Sequence, residues 1–496
     1  MAIPAYYFRV QFVKMGKWVL LPADSENWHG QYTSEYFRRI FGFNKGTTII
    51  QTFADDLQHA YFPKFYIRKL YAFIQQLTAR DYRALQNKLA PFYRLKTRAK
   101  REIPRLTARN FEQLSTVQLV RLYKQNRDWA HRVTPYDQFG WIAEDYWNPI
   151  MQRILMRKLK LKKNSPEYYR VMFTLTKPEE ISTTLEEKRT VLGAAIQIKR
   201  KRLGLARASA NLARQYGWMP VFTFGIPWGK GHYVEELAQF AHKSLSVLKR
   251  EHAVLAQYAG IRNREFNEIV QKYTISPREL QVFIDFGLTL DARNEAEYLV
   301  SLAGYHLLPM YTEIARRLAL SVKQVRLMYE DEIVRALQGK LDVHRLLASK
   351  SDIVGWGFNR QMTKRYNFAP REARRWFNHI ERTVKNLQGG DEHRGLCANT
   401  GKVRGRARIV TSPEQVDKVK TGDVLIAHAT TVDYLPAMKK AVAYVTEVGG
   451  LTCHAAVVAR EFGVPCVVAL TNATKNFKDG EVVEVDAGTG VVKRVR

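Results

Sequence analysis

The spacing of hydrophobic and polar residues changes twice along this chain. Up to Phe53, aromatics, glycines and short apolar runs alternate without a helical period. Residues 1–53 therefore receive no firm fold assignment; strands or loops with a short helix over 34–40 are expected. From Ala54 onward apolar residues return to one helical face, as Phe65, Leu70, Phe73 and Leu77 do, and the pattern persists to about Leu387. Short β-branched runs then appear at 407–410, 424–427, 441–445, 466–470, 482–485 and 491–492. Helical stretches at 413–419, 434–440 and 453–462 alternate with them. The expected fold class is multidomain: a mostly α-helical body over 54–387, then a compact α/β domain over 396–496.

Helix starts in the body are legible. Ser115 with Gln118, Asn164 with Glu167, Thr183 with Glu186 and Ser321 with Gln324 each have the spacing of a capping box. Ser276 is followed by Pro277 at the first helical position and Glu279 beyond it. About a dozen helices are expected. Residues 215–231 interrupt them with glycine, proline and aromatics, which predicts a long loop or a substrate-facing insert. Within it, 225–231 has glycine spacing short by one for a phosphate loop, and Gly231 stands where Ser or Thr would meet magnesium, so a structural loop is expected. Gly389, Gly390 and Gly395 among charged residues make 388–395 a flexible linker.

Chemistry concentrates in residues 444–468. An apolar strand ends, the chain turns at Gly449 and Gly450, Thr452 offers an N-cap, and small residues from Cys453 onward suit a helix packed close to a sheet. Gly463 and Pro465 end that helix. His454 falls in its first turn, where unpaired N–H groups and the positive end of the helix dipole favour an anion and disfavour protonation of the ring. A neutral His454 there is a nucleophile for phosphorus. Taken alone, a histidine beside a glycine turn reads first as a structural residue.

The stretch as a whole resembles the phosphohistidine signature of the phosphoenolpyruvate-utilising enzyme family, which includes phosphoenolpyruvate synthase, pyruvate phosphate dikinase and rifampicin phosphotransferase. It matches T-x-x-G-G-x-T-[CS]-H-A-A-[IV]-[IV]-A-R-E-x-G-[IV]-P at Thr446, Gly449, Gly450, Thr452, Cys453, His454, Ala455, Ala456, Ala459, Arg460, Glu461, Gly463 and Pro465. The resemblance implies a phosphohistidine swivelling (mobile) domain over 396–496, with His454 as carrier, Thr452 beside it, and Gly449, Gly450, Cys453 and Arg460 around the phosphate. Residues 289–337 resemble, more loosely, the helical segment preceding that domain in related proteins. There Arg293 and Glu297 have the spacing of an ordinary ion pair. In a pocket Arg293 would instead clamp a phosphoryl group and Glu295 or Glu297 would take a proton from an acceptor. His306 reads as a core or surface histidine rather than a ligand.

The family divides its work among an ATP-grasp part, the histidine domain and a receiving domain. No ATP-grasp region is legible before the histidine domain, and no pyruvate-binding barrel is expected after it. Mg2+ and ATP are thus expected only through a partner chain, an ATP-grasp protein acting in trans, with the helical body binding an unknown small-molecule acceptor. Two readings stay open: a phosphotransferase component charged by an ATP-dependent or phosphoenolpyruvate donor, and a non-catalytic binding or regulatory protein that keeps the fold.

Charge adds one more expectation. The net charge is +32, and residues 396–496 hold 14 Lys+Arg against 10 Asp+Glu, so nearly all the excess lies in the preceding body. Its clusters at 94–101, 157–163 and 199–202 would attract a polyanion, or are a solvated basic surface. Cys397, Cys453 and Cys466 suit neither a disulfide framework nor a metal site. With no secretory pattern and no membrane-length apolar run, a cytoplasmic protein is expected.

Overall fold

A computed structural model describes residues 12–19, 35–43, 48–52, 57–107, 110–163, 165–223, 226–350, 353–358, 365–383, 394–451 and 453–495. The chain divides into two compact units, one from 1–138 with 299–387, the other from 139–298 with 388–496.

The first unit contains helices and a five-stranded sheet that the helical reading of 54–387 did not anticipate. Its strands are β1 (Phe12–Val19), β2 (Thr48–Thr52), β3 (Leu57–Pro63), β4 (Ile353–Phe358) and β5 (Arg365–Phe368), in the order β1-β3-β2-β4-β5. Every neighbouring pair is antiparallel. Gly355 and Gly357 break the apolar run of β4, and Gln58 and His59 break that of β3, so neither shows the alternation of a strand with one buried face. The short helix expected at 34–40 spans Glu35–Phe41, and its Phe37 and Phe41 rings stack 4.6 Å apart.

The capping boxes of Ser115 with Gln118 and of Ser321 with Gln324 form as read. Ser276 and Glu279 bond reciprocally ahead of the long helix Pro277–Leu318. Two starts shift by one residue. Ser182 rather than Thr183 caps Thr183–Lys199, and Ser165 caps Pro166–Thr176, while Asn164 lies outside the described residues. In both places adjacent residues could each serve as acceptor, and spacing alone does not choose between them. His306 is partly buried: its Nδ1 meets the Thr107 hydroxyl, and desolvation lowers its pKa to about 4.

The second unit joins a helical layer to the α/β domain. Its seven-stranded sheet runs β12-β11-β7-β8-β9-β10-β6. The strands are β6 (Leu396–Asn399), β7 (Lys402–Val410), β8 (Val424–Ala427), β9 (Ala443–Thr446), β10 (Cys466–Val468), β11 (Val482–Asp486) and β12 (Val491–Arg494). β7 through β10 are parallel, and their buried face packs Ala407, Val424, Ile426, Val445 and Val467 against Leu470, Phe477 and Val485. Of the expected linker, 388–393 lie outside the described residues, and β6 follows directly as a strand that the pattern missed. The interruption at 215–231 is a turn at Gly217, a 3-10 segment Met219–Thr223 and, beyond 224–225, which lie outside the described residues, an irregular stretch 226–229 leading into the helix Lys230–Gln239, where Lys230 and Gly231 are already helical. Trp228 N–H donates to Gly217 O at 2.9 Å, and a Cβ on Gly217 would sit 2.6 Å from Trp228 O. Among the described residues no helix is long and apolar enough to cross a membrane.

Candidate active site around His454

β9 delivers the chain to the site. Thr446 Oγ1 donates to Val448 O at 2.9 Å, and Glu447 accepts from Thr474 N–H at 2.8 Å and contacts His428 Nδ1 at 2.7 Å. Burial pushes the Glu447 carboxyl up, but these hydrogen bonds prevail and hold it at about 2. The turn that follows requires glycine: Gly449 has φ +119°, and a Cβ there would lie 2.8 Å from Cys453 Sγ. Cys453 N–H returns to Gly450 O at 3.2 Å, and the helix His454–Phe462 begins.

Cys453, with φ −72° and ψ 160°, occupies the N-cap position that the sequence suggested for Thr452, which itself lies outside the described residues. The Cys453 side chain makes no capping hydrogen bond to this helix, whose first turn presents its N–H groups at the start of the His454 segment. Gly463 closes it in the left-handed region at φ 68°, as read.

His454 is only 8% exposed. Thr430 Oγ1 lies 3.1 Å from its Nδ1, while Nε2 is buried with no hydrogen-bond partner among the described residues. Burial, and after it the positive charge of Arg293, lower the imidazole pKa to about 3. The ring is thus held neutral, with burial the larger of these two causes.

Arg293 belongs to the Pro277–Leu318 helix, and its Nε donates to Glu297 Oε1 at 3.3 Å. Gly140 makes room for it, since a Cβ at that position would be 2.6 Å from the Arg293 Cβ and Cδ. Glu295 is occupied elsewhere, accepting from Thr183 N–H and Thr183 Oγ1, each at 2.9 Å. Arg460 donates to Leu451 O at 2.8 Å and lies 5.3 Å from the Phe173 ring centroid, so it braces the loop before the helix. Within one unit the structure therefore gathers His454, Arg293 and Glu297, while Glu295 and Arg460 serve backbone neighbours.

Sequence reasoning missed Thr430 and Asp433. Thr430 lies in the loop after β8, and no motif marks it. Asp433, in the 3-10 turn Val432–Tyr434, is fully buried; burial pushes its carboxyl to about 7, and the charges of Glu414 and Glu297 add to the rise. Glu461, two helical turns beyond His454, is likewise raised to about 7 by burial, against hydrogen bonds from Ser182 and Thr184 and with Glu295 and Asp291 adding to the rise. Among the described residues no group of three or more His, Cys, Asp or Glu could hold a metal ion.

Comparison with known proteins bears on the C-terminal part. Residues 419–490 match the family model described as PEP-utilising enzyme, mobile domain. A probable phosphoenolpyruvate synthase of Archaeoglobus fulgidus is 50% identical over 112 residues, which are 23% of this chain and 15% of that protein. The phosphoenolpyruvate synthase of Pyrococcus furiosus is 48% identical over 99 residues, 20% of this chain and 12% of that protein. The matches thus span a small fraction of those relatives' lengths. A solution structure of an Enzyme I protein aligns over 64% of this chain and 81% of its own at 14% identity, with a TM-score of 0.15, too low to carry a structural argument. The strand, glycine turn and His454-bearing helix lie wholly inside the matched segment, and over residues 419–490 this chain carries the mobile domain of the PEP-utilising enzymes.

Proposed function

We propose that this chain is a phosphotransferase component whose His454 carries a phosphoryl group from a donor on another chain to an acceptor bound by the helical body. The observation that supports it most is the state of the ring: a neutral imidazole held at Nδ1 by Thr430 in the first turn of a helix, with Nε2 unpartnered among the described residues. In loading, the Nε2 lone pair attacks phosphorus; a P–N bond forms as the bond to the leaving oxygen breaks, and that oxygen keeps the electron pair. In unloading, an acceptor hydroxyl attacks phosphorus, the P–N electrons return to Nε2, and the hydroxyl proton passes to Glu297 or Asp433. Arg293 faces the charge that gathers on the phosphoryl oxygens. Mg2+ and ATP, or phosphoenolpyruvate, belong to the donor side, with an ATP-grasp protein in trans as the expected partner, and the basic body favours approach of an anionic donor.

The second reading, a binding or regulatory module that has given up transfer, draws on the low exposure of His454 in this arrangement. One experiment separates them. The protein is incubated with ATP and Mg2+, with phosphoenolpyruvate and Mg2+, and with an ATP-grasp protein encoded beside it, then read by intact mass. An acid-labile phosphoryl group absent from His454→Ala supports the carrier; its absence with every donor leaves the binding module.

A further inference from the structure

The α/β domain meets the helical layer of its unit through a buried charge cluster that the chemistry at His454 does not use. Lys439, in the last turn of the helix Leu435–Lys440, donates to both oxygens of Glu187 at 2.9 Å and to Glu236 Oε1 at 2.8 Å. Glu187 is on the helix Thr183–Lys199 and Glu236 on Lys230–Gln239. The Lys439 side chain is 12% exposed and that of Glu187 is fully buried. Trp228 covers the ammonium at 5.0 Å and stacks on His232, whose Nε2 lies 3.5 Å from Glu236 Oε2. Other contacts between the same two parts include Lys188 over Phe462 at 4.9 Å, Arg460 over Phe173 at 5.3 Å, and the segment Met219–Thr223, buried at Met219 and Val221, against the turn Val432–Tyr434.

We infer that Lys439 is a latch: seated in the Glu187–Glu236 socket it holds the C-terminal domain docked with His454 closed off, and its withdrawal opens the imidazole to a donor. The chemistry of the contact makes it reversible. An apolar contact gives no hydration back on opening, whereas a lysine and two carboxylates regain water on separating, which lowers the cost of releasing this part of the interface. The contact also discriminates, because one cation must meet two anions from separate helices, and any other docking leaves those carboxylates uncompensated. A carrier exchanging with a second chain needs such a contact, since a ring 8% exposed cannot reach an external phosphorus. The purpose of the latch rests on the carrier reading; its closing action does not.

The test reads accessibility of the ring rather than transfer, so it is independent of whether phosphate is ever carried. The full chain is treated with diethyl pyrocarbonate, and carbethoxylation of His454 is followed by peptide mass, with urea-unfolded protein as reference. Wild type should react at least about tenfold more slowly than the unfolded reference. Lys439→Met should recover most of that factor, Lys439→Arg little of it, and the reversed pair Lys439→Glu with Glu187→Lys should restore protection. Amide exchange of Val424–Ala427 and Ala443–Thr446 reports whether the domain core is intact. If Lys439→Met loses that core, Glu236→Gln, which halves the socket, is read instead. The latch is overturned if, with the core intact, His454 reacts no faster in these variants than in wild type. It is equally overturned if wild-type His454 already reacts at the unfolded rate.

Discussion

Thr430 Oγ1 stands 3.1 Å from His454 Nδ1, and the opposite ring nitrogen has no hydrogen-bond partner among the described residues. A hydroxyl at Nδ1 fixes the plane of the ring, and in the tautomer where it accepts from Nδ1–H the opposite nitrogen keeps its lone pair. Thr430→Val keeps the shape and removes the hydrogen bond, so phosphohistidine formation should fall by about 10–100-fold, the usual loss when an orienting partner is deleted. Thr430→Ser should restore most of it. Imidazole nitrogen shifts provide a second readout, since the valine variant should mix tautomers.

The pH dependence of His454 has a definite sign. Its folded pKa, lowered from 6.5 to about 3 by burial and then by Arg293, means that the unfolded chain takes up the proton first. The stability that the neutral ring contributes is present above 6.5 and is lost as pH falls towards 3, at about 1.4 kcal/mol per pH unit. Histidine NMR should show no titration of this ring between pH 5 and 8. His454→Gln should flatten the acid limb of a thermal-unfolding profile. Glu461 acts in the opposite direction: raised from 4.5 to about 7, it contributes below its unfolded value, and that contribution is lost as pH rises through 7.

Arg293→Met removes a cation that helps to keep the ring neutral, so the His454 pKa should rise. The substitution also takes from Glu297, whose side chain is 8% exposed, its ion-pair cation, and removing one partner of a buried pair costs about 3–5 kcal/mol. Arg293→Met with Glu297→Gln should recover much of that stability while transfer to the acceptor stays impaired. A double variant that transfers as well as wild type would place Arg293 outside the chemistry.

Gly449→Ala tests the turn. The φ of +119° costs an alanine about 1–3 kcal/mol, and its Cβ would press on Cys453. Adding Cys453→Ala should return only part of the lost thermal stability, because it relieves the contact but not the dihedral.

How much was readable in the sequence depends on where the partners lie. β8 is fully buried, and its run Val-Leu-Ile-Ala between turns announced it to the residue. His454 was legible because everything that positions it along the chain lies within a few residues. Thr430 was not: its hydroxyl reaches the ring only because parallel β8 and β9 bring their following loops side by side. Lys439 and Glu187, 252 residues apart, share no local signal at all. Arg293 and Glu297 carried the i, i+4 spacing of an ordinary surface pair, and only Gly140 packed on the arginine shows how enclosed they are.

The order β1-β3-β2-β4-β5 has a consequence for synthesis. β2, at Thr48–Thr52, pairs on one side with β3 nearby and on the other with β4 at Ile353–Phe358. A ribosome releasing this chain must therefore deliver most of it before β2 gains its second neighbour, and until then that edge offers unpaired amides to any passing strand. Fragments cut between β3 and β4 would keep the edge open for good, and self-association through it is the fate such fragments should share.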